Sequence, residues 1–209
     1  MRFKMDSKSL AVIVLFFAIT LSAPAASQAR TLVVTDVAGR AVEVPAHPRR
    51  IIAVSSGALR LLCYLEAADR IVGVESFDKK PSAGRSYQLA YPSLAGLPSI
   101  GPGGPAQINR DPDLEAVLRL SPDAIFITHM EPAKADALQK RLGIPVVVLA
   151  YSKTGVGTID EKLYESLRLA GKILGKEKRA EAVIAFIEQN RQNLLARTKR
   201  MARDRKPTV

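Results

Sequence analysis

The spacing of hydrophobic residues changes along the chain, and each change predicts a different kind of element. Residues 31–36 and 41–45 alternate apolar and polar side chains around a turn that contains Gly39, which predicts a β-hairpin. Short, continuous apolar runs follow, and such runs are typical of strands buried on both faces of a sheet. They lie at residues 51–54, 71–74, 124–127 and 146–149.

Helical periodicity appears between these runs. Residues 58–67 and 133–142 have amphipathic spacing, and Gly143 is suited to end the second helix. Another helix is predicted before the third run, because Asp113 suits a helix start and Pro122 prevents continuation. Its apolar positions are Leu114, Val117, Leu118 and Leu120. Strands separated by helices predict an α/β fold, in which a parallel sheet carries helices on both faces.

Two regions depart from this alternation. Residues 77–100 are rich in serine, glycine and proline, which predicts a long loop. From residue 159 onward the pattern is helical, and Gly171 and Gly175 are expected to divide it into two helices. The second would cover about 28 residues, from 176 to 204, and span roughly 42 Å. Its apolar stripe consists of Val183, Ile184, Ile187, Leu194 and Leu195.

The start of the chain has the layout of a secretory signal peptide. Arg2, Lys4 and Lys8 precede an apolar run at residues 10–21, and a small-residue cleavage site follows at residues 27–29. That run is shorter than the roughly 20 residues that a membrane-spanning helix needs. We therefore expect residues 1–29 to be removed and the protein to be exported.

The cysteine content limits how an exported form could be attached or cross-linked. Cys63 is the single cysteine, so no internal disulfide can form. It lies far from the cleavage site and within an apolar stretch, which favours a buried structural thiol. We expect a soluble periplasmic protein without a lipid anchor.

The net charge of +11 is concentrated rather than general. Residues 176–206 contain ten basic and four acidic side chains, so this segment carries +6 of the excess. A basic helix is usually a solvated face, and export removes the protein from cytoplasmic nucleic acid. Nucleic acid is therefore not expected as a partner.

Residues 111–128 carry a resemblance to a known family. The passage combines a short helix, a Ser-Pro-Asp turn and a buried strand. It resembles the Asn-Leu-Glu-x-Ile-x-x-Leu-x-Pro-Asp-Leu-Ile signature of periplasmic binding proteins that serve importers of iron-siderophores, haem, cobalamin and related cargo. Residues 36–45 resemble the opening of the same family. The resemblance implies a Rossmann-like lobe, a long bridging helix, and a ligand bound between two lobes.

The resemblance also sets the expected domain boundaries. Residues 30–157 would form the N-terminal ligand-binding lobe, and residues 158–205 a helical segment with the long helix between the lobes. Residues 206–209 would begin a second lobe that is otherwise absent. We expect the sequence to be a fragment of a two-lobed protein, with a natural half-protein as the alternative.

Candidate ligand-binding residues follow the predicted strands, because open parallel sheets bind ligands beyond the carboxyl ends of their strands. Ser55, Ser56 and Arg60 suit an anion, although a plain helix cap explains the serines equally well. The loop tyrosine Tyr87 could bind ligand or only pack. The remaining candidates are Thr128, His129, Tyr151 and Lys153, for which a satisfied histidine and a solvated lysine are the ordinary explanations.

Glu115 takes its expected role from the resemblance. It matches the signature glutamate that docks on arginines of the membrane permease in this family. The alternative is an ordinary exposed helix glutamate, since surface ion pairs contribute little on their own.

The sequence offers no motif for catalysis. No nucleophile elbow or HExxH motif is present, and the two histidines, His47 and His129, are too few for a metal cluster. We therefore expect neither enzymatic activity nor a cofactor or resident metal. An exported α/β enzyme, which would need a titratable pair in its cleft, ranks last among the possible functions.

The expected function is the substrate-binding component of an ABC importer. The protein would act as a monomer that delivers its cargo to an inner-membrane permease. Ferric siderophore is the first choice of cargo, and molybdate or tungstate the second. The alternative is a one-lobed exported interaction protein that docks on a partner without carrying cargo.

Overall fold

The computed structural model describes residues 30–55, 57–80, 84–150 and 161–199, and it contains two sheets. Strands β1 (Thr31–Thr35) and β2 (Ala41–Pro45) form an antiparallel hairpin, as the alternating pattern predicts. Four parallel strands form the main sheet in the order β4-β3-β5-β6. They are β3 (Ile51–Val54), β4 (Ile71–Gly73), β5 (Ala124–Thr128) and β6 (Val146–Leu149). The α/β fold with a parallel sheet is confirmed.

Seven α-helices lie in the described part of the chain. They are α1 (Ala58–Tyr64), α2 (Ser76–Lys79), α3 (Ser86–Ala90), α4 (Leu114–Leu120), α5 (Pro132–Leu142), α6 (Glu161–Leu174) and α7 (Glu177–Thr198). The predicted start of α4 and the predicted end of α5 are confirmed, and a capping residue lies at each of them. The Asp113 carboxylate accepts a hydrogen bond from the Ala116 N–H at 3.0 Å, and Gly143 ends α5 in the left-handed conformation.

Both faces of the main sheet are covered, because alternate residues of each strand point to opposite sides. Ile51, Ala53 and Phe126 pack with α1, α6 and the hairpin. Ile52 and Ile125 point the other way and pack with α4 and α5. This double burial explains why the strands are continuous apolar runs in the sequence.

The hairpin is attached to β6 through a buried ion pair in its turn. The Asp36 carboxylate accepts hydrogen bonds from the backbone N–H groups of Ala38, Arg40 and Val148 at 2.9 to 3.1 Å. The Arg40 guanidinium lies 3.0 Å from the same carboxylate and donates to the Val146 carbonyl. The described hydrogen bonds of this carboxylate therefore stabilise the turn internally or connect it to the main sheet.

Residues 77–100 are not one long loop, and that prediction is wrong. They contain most of α2, all of α3 and a 3-10 turn at Pro92–Gly96. These helices are too short to show a helical period in the sequence. Tyr87 and Leu94 are each only 6% exposed, because they join the core beside α1.

The C-terminal helices also differ from their prediction. Gly171 does not break a helix; it lies inside α6, where the absence of a side chain lets α7 approach at Ala180. The described α7 has 22 residues and spans about 33 Å; the predicted length of about 42 Å included residues 200–204, which lie outside the described part. Leu194 and Leu195 are 62% and 51% exposed, so the buried stripe ends near Ile187. Residues 200–209 lie outside the described part.

Cys63 is a buried thiol on α1, as expected. It is 3% exposed, and burial raises the pKa of its thiol to about 12. Such a thiol stays protonated and unreactive at neutral pH. None of the described helices is both long and apolar enough to cross a membrane.

Candidate functional site

The order of the strands places a crevice between β3 and β5. From β3 the chain moves outward to β4 and then crosses over β3 to β5, so the winding direction reverses between β3 and β5. In open parallel sheets, ligands bind at such a reversal, beyond the carboxyl ends of the two strands. Val54 is paired with Ile127, so the next residues, Ser55 and Thr128, lie side by side at this edge. We call this the switch-point edge and define it by Ser55, Thr128 and His129.

The backbone at the switch-point edge is held in an unfavourable conformation on both strands. Ser55 has a φ of 71° and His129 a φ of 57°, although neither is glycine. Left-handed φ values are uncommon for residues with a side chain, and they persist where the surrounding structure enforces them. Such strain is concentrated at functional sites in proteins. Two of the six described non-glycine residues with a positive φ lie together at this edge, which makes it a candidate ligand site.

Ser55 is the best-placed ligand candidate of the sequence prediction. It is 3% exposed, and within the described residues its hydroxyl has no hydrogen-bond partner. It is not a helix cap, because the cap residue of α1 is Gly57, which makes no side-chain capping bond. A buried hydroxyl without a partner is uncommon in proteins, and a ligand at this edge would satisfy it.

Thr128 and His129 share the edge but differ in accessibility. Thr128 is completely buried, whereas His129 is partly exposed. Burial lowers the pKa of the His129 imidazole below its usual value, so the ring is neutral at neutral pH. A neutral imidazole can both donate and accept a hydrogen bond. No group of three or more His, Cys, Asp or Glu side chains suited to a metal ion occurs in the described residues.

Glu75 belongs to the same edge and is absent from the sequence prediction. It lies directly after Val74, is 5% exposed, and its carboxylate accepts the Ser55 N–H at 3.0 Å. Burial raises the pKa of this carboxyl; the backbone N–H groups of Ser55 and Gly104 oppose the shift, and the Asp78 charge adds to it. The sequence could have indicated Glu75 as a site residue, because it is a charged residue directly after a predicted strand.

Tyr87 and Arg60 lie in a neighbouring cluster of charged and aromatic side chains. The Tyr87 hydroxyl donates to the Asp78 carboxylate at 2.7 Å, and the Arg60 guanidinium lies 5.7 Å from the centre of the Tyr87 ring. Burial raises the pKa of the Asp78 carboxyl, while Tyr87, Arg85 and Arg60 lower it. Tyr87 is thus buried and hydrogen-bonded rather than exposed in a loop.

A cavity of about 710 Å³ opens beside this cluster. Its lining includes Leu59, Asp78, Arg85, Tyr87, Tyr91 and Leu94. Its volume lies in the range of small-molecule sites. Neither Ser55 nor His129 is among its described lining residues, so the cavity and the switch-point edge are separate features. The remaining candidates, Ser56, Tyr151 and Lys153, lie outside the described residues.

The residues of the family signature have separable roles. The Asp123 carboxylate accepts the backbone N–H groups of Arg49 and Arg50 at 2.7 and 2.8 Å, which ties the turn after α4 to the start of β3. Glu115, in contrast, projects from α4 with its side chain 81% exposed and paired with Arg119 at 2.7 Å. Asp123 therefore has a structural role, while Glu115 has no role within the described fold beyond one surface ion pair.

The comparisons with known proteins agree with this fold. The sequence profile of a family described as periplasmic binding protein matches residues 51–209, and the chain belongs to that family. The molybdate-binding protein MolA of Haemophilus influenzae is 26% identical over 216 residues, which cover 97% of this chain and 58% of MolA. The chain spans about half the length of the curated relatives it matches.

Two solved structures show the same architecture. MolA bound to molybdate aligns with a TM-score of 0.67 and 23% identity over 83% of this chain and 55% of that one. The catecholate-siderophore binding protein VctP of Vibrio cholerae aligns with a TM-score of 0.61 and 23% identity, over 81% and 55%. The described chain therefore has the periplasmic binding protein fold over part of its relatives' length.

Proposed function

We propose that this chain is the ligand-capturing lobe of the substrate-binding component of an ABC importer. The observation that carries the proposal is the buried Ser55 hydroxyl at the carboxyl edge between β3 and β5, which has no hydrogen-bond partner in the described part of the chain. Family membership supports the general role. The protein would be exported by residues 1–29, act as a soluble periplasmic monomer without a lipid anchor, and bind its cargo without chemical change.

The cargo that fits the switch-point edge best is a small oxyanion of the molybdate and tungstate class. A serine hydroxyl and a neutral imidazole can both donate to anionic oxygens. The relative that matches over nearly the whole chain binds molybdate, which supports the same class. This order reverses the expectation from the sequence, which placed ferric siderophore first.

Ferric siderophore is the second candidate, and the cavity beside Tyr87 favours it. A volume of about 710 Å³ suits a large ligand, and Arg85 and Tyr91 offer cationic and aromatic contacts to an anionic iron complex. The one-lobed interaction protein, the alternative from the sequence, gains no support from the relatives.

The test of the proposal is calorimetric titration of the 209-residue chain with molybdate and, separately, with a ferric catecholate. Ser55→Ala should weaken molybdate binding by about tenfold, the worth of one hydrogen bond to an anion. The free energy of unfolding of this variant should not fall, because the hydroxyl has no hydrogen-bond partner among residues 30–55, 57–80, 84–150 and 161–199. The exposed Ser93→Ala is the matched control. Equal affinities in both variants, or no binding of molybdate by the parent chain, would overturn the oxyanion assignment.

Permease docking through Glu115 forms the second part of the proposal. Glu115→Ala should leave ligand binding intact and reduce stimulation of the cognate importer's ATPase in proteoliposomes. Glu165→Ala is the matched control, since Glu165 is another exposed helix glutamate in a single ion pair. Equal stimulation by the two variants would exclude Glu115 from the docking surface.

A further inference from the structure

Glu75 introduces a negative charge at the edge where the proposed ligand would bind. Ser55 lies next to this carboxylate. Its backbone N–H donates to Glu75, and its Oγ has no described hydrogen-bond partner. An anion bound to that hydroxyl would therefore lie close to the carboxylate. Two like charges at such a separation repel each other strongly where water is excluded.

The carboxylate cannot readily turn away, because a glycine-rich segment closes over it. Gly103 has a φ of 67°, and a Cβ built there would lie 2.5 Å from Oε2 of Glu75. The backbone N–H of Gly104 donates to the same carboxylate. Glycine at these positions allows the backbone to approach a side chain that a larger residue would displace. Glu75 is therefore held against Ser55.

No cation balances this charge within the described part of the chain. None of the ion pairs there includes Glu75. The nearby arginines, Arg60 and Arg85, act on Asp78 instead, and Asp78 itself repels Glu75. The other titratable group at the edge is His129, which is neutral at neutral pH. Within this part of the chain, the repulsion between the anion and Glu75 can therefore be relieved by protonating either Glu75 or His129.

We propose that Glu75 determines the charge selectivity of the site by taking up one proton when an oxyanion binds at Ser55. The proton comes from solvent and converts the carboxylate to a carboxylic acid, which still accepts the Ser55 N–H through its carbonyl oxygen. This inference rests on the proposed function of the switch-point edge. It makes capture of the anion tighter as the periplasm becomes more acidic.

The direction of this pH dependence follows from the charge balance. An anion stabilises the protonated form of Glu75, so it raises the pKa of that carboxyl further above its already raised value in the free chain. Between the two pKa values, binding consumes a proton and its affinity rises as the pH falls. Glu75→Gln imitates the protonated state and should bind the anion without proton uptake.

The experiment is calorimetric titration of the 209-residue chain with sodium molybdate, in two buffers that differ in ionisation enthalpy, at several values between about pH 5 and pH 8. The difference in apparent heat gives the number of protons taken up per anion. Glu75→Gln is the test variant. His129→Asn is the control for the other titratable group, and asparagine tolerates the left-handed backbone at that position.

The proposal predicts uptake of up to one proton per bound anion by the parent chain and none by Glu75→Gln. His129→Asn should bind the anion more weakly, because it loses the imidazole donor, but should take up the same number of protons per bound anion. The proposal also predicts that Glu75→Gln binds molybdate about tenfold more tightly near neutral pH, where the repulsion is largest. Binding without proton uptake, or uptake that is lost in His129→Asn and retained in Glu75→Gln, would overturn the inference and leave the oxyanion site standing. Absence of molybdate binding in all three proteins at every pH would instead overturn the oxyanion assignment and this inference with it.

Discussion

Two buried carboxylates on opposite sides of this lobe show how different a structural acid and a site acid are. Asp36 is 4% exposed and Glu75 is 5% exposed, so burial does not distinguish them. Asp36 accepts three backbone N–H groups and is paired with Arg40. Glu75 accepts two backbone N–H groups, and its described charged neighbour is another acid, Asp78.

The difference lies in charge balance. A buried charge is stable when an opposite charge and a full set of hydrogen bonds compensate its lost hydration, as at Asp36. A buried acid without a counter-charge favours its neutral form, and such groups are concentrated at functional sites. Glu75 therefore lies, with a Ser55 hydroxyl that has no partner among the described residues, at the edge where we propose that the lobe binds its ligand.

The largest expected effect comes from breaking the compensated acid. Asp36→Asn should lower the free energy of unfolding by about 3 kcal/mol, because the buried Arg40 guanidinium would keep only the exposed Asp136 as a charge partner and the amide could not accept every hydrogen bond of the carboxylate. Urea denaturation followed by far-ultraviolet circular dichroism measures this. Glu75→Gln is the matched control and should cost far less at neutral pH. Equal losses in the two variants would contradict the proposed distinction.

A smaller effect is expected from the glycine that holds Glu75 in place. Gly103→Ala should destabilise the fold by about 2–3 kcal/mol, since it adds a left-handed alanine and a clash with Glu75. Gly39→Ala is the control, because Gly39 also has a positive φ but open space around it, and should cost about 1 kcal/mol. The same denaturation experiment compares them. Indistinguishable losses would show that the segment does not press on Glu75.

The third effect is a difference in the pH dependence of stability. Burial raises the pKa of Glu75 in the folded state above its pKa in the unfolded state. The contribution of Glu75 to the free energy of unfolding is therefore fully present below the unfolded-state pKa and is lost as the pH rises through the folded-state pKa. Glu75→Gln does not lose this stability, because glutamine does not titrate. The variant should therefore gain stability relative to the parent chain as the pH rises from about 4 to 7. A constant difference across that range would mean that the fold does not perturb Glu75.

The sequence was sufficient for the strands and for one part of the site. Continuous apolar runs located all four strands of the main sheet, and the rule that ligands bind beyond parallel strands led directly to Ser55 and His129. Their left-handed backbone was not predictable, because it depends on how the loops pack after the sheet forms. Nor was it predictable that the Ser55 hydroxyl would have no hydrogen-bond partner among the described residues.

Glu75 and Tyr87 show why the rest of the site required the structure. Glu75 becomes buried only when residues 103–104, which are distant in sequence, close over it. Tyr87 lies in a five-residue helix that has no period of its own and forms by packing beside α1. Long-range contacts override local pattern in both cases.

The central claim is that the oxyanion binds at the switch-point edge and not in the cavity beside Tyr87. Titration of the ¹⁵N-labelled 209-residue chain with molybdate, followed by backbone amide NMR, tests it directly. The account predicts that the largest shifts fall on Ser55, Glu75, Thr128 and His129, and that the amides of α3 change little. Shifts confined to the residues around Tyr87 and Tyr91, or no shifts at any residue, would contradict it.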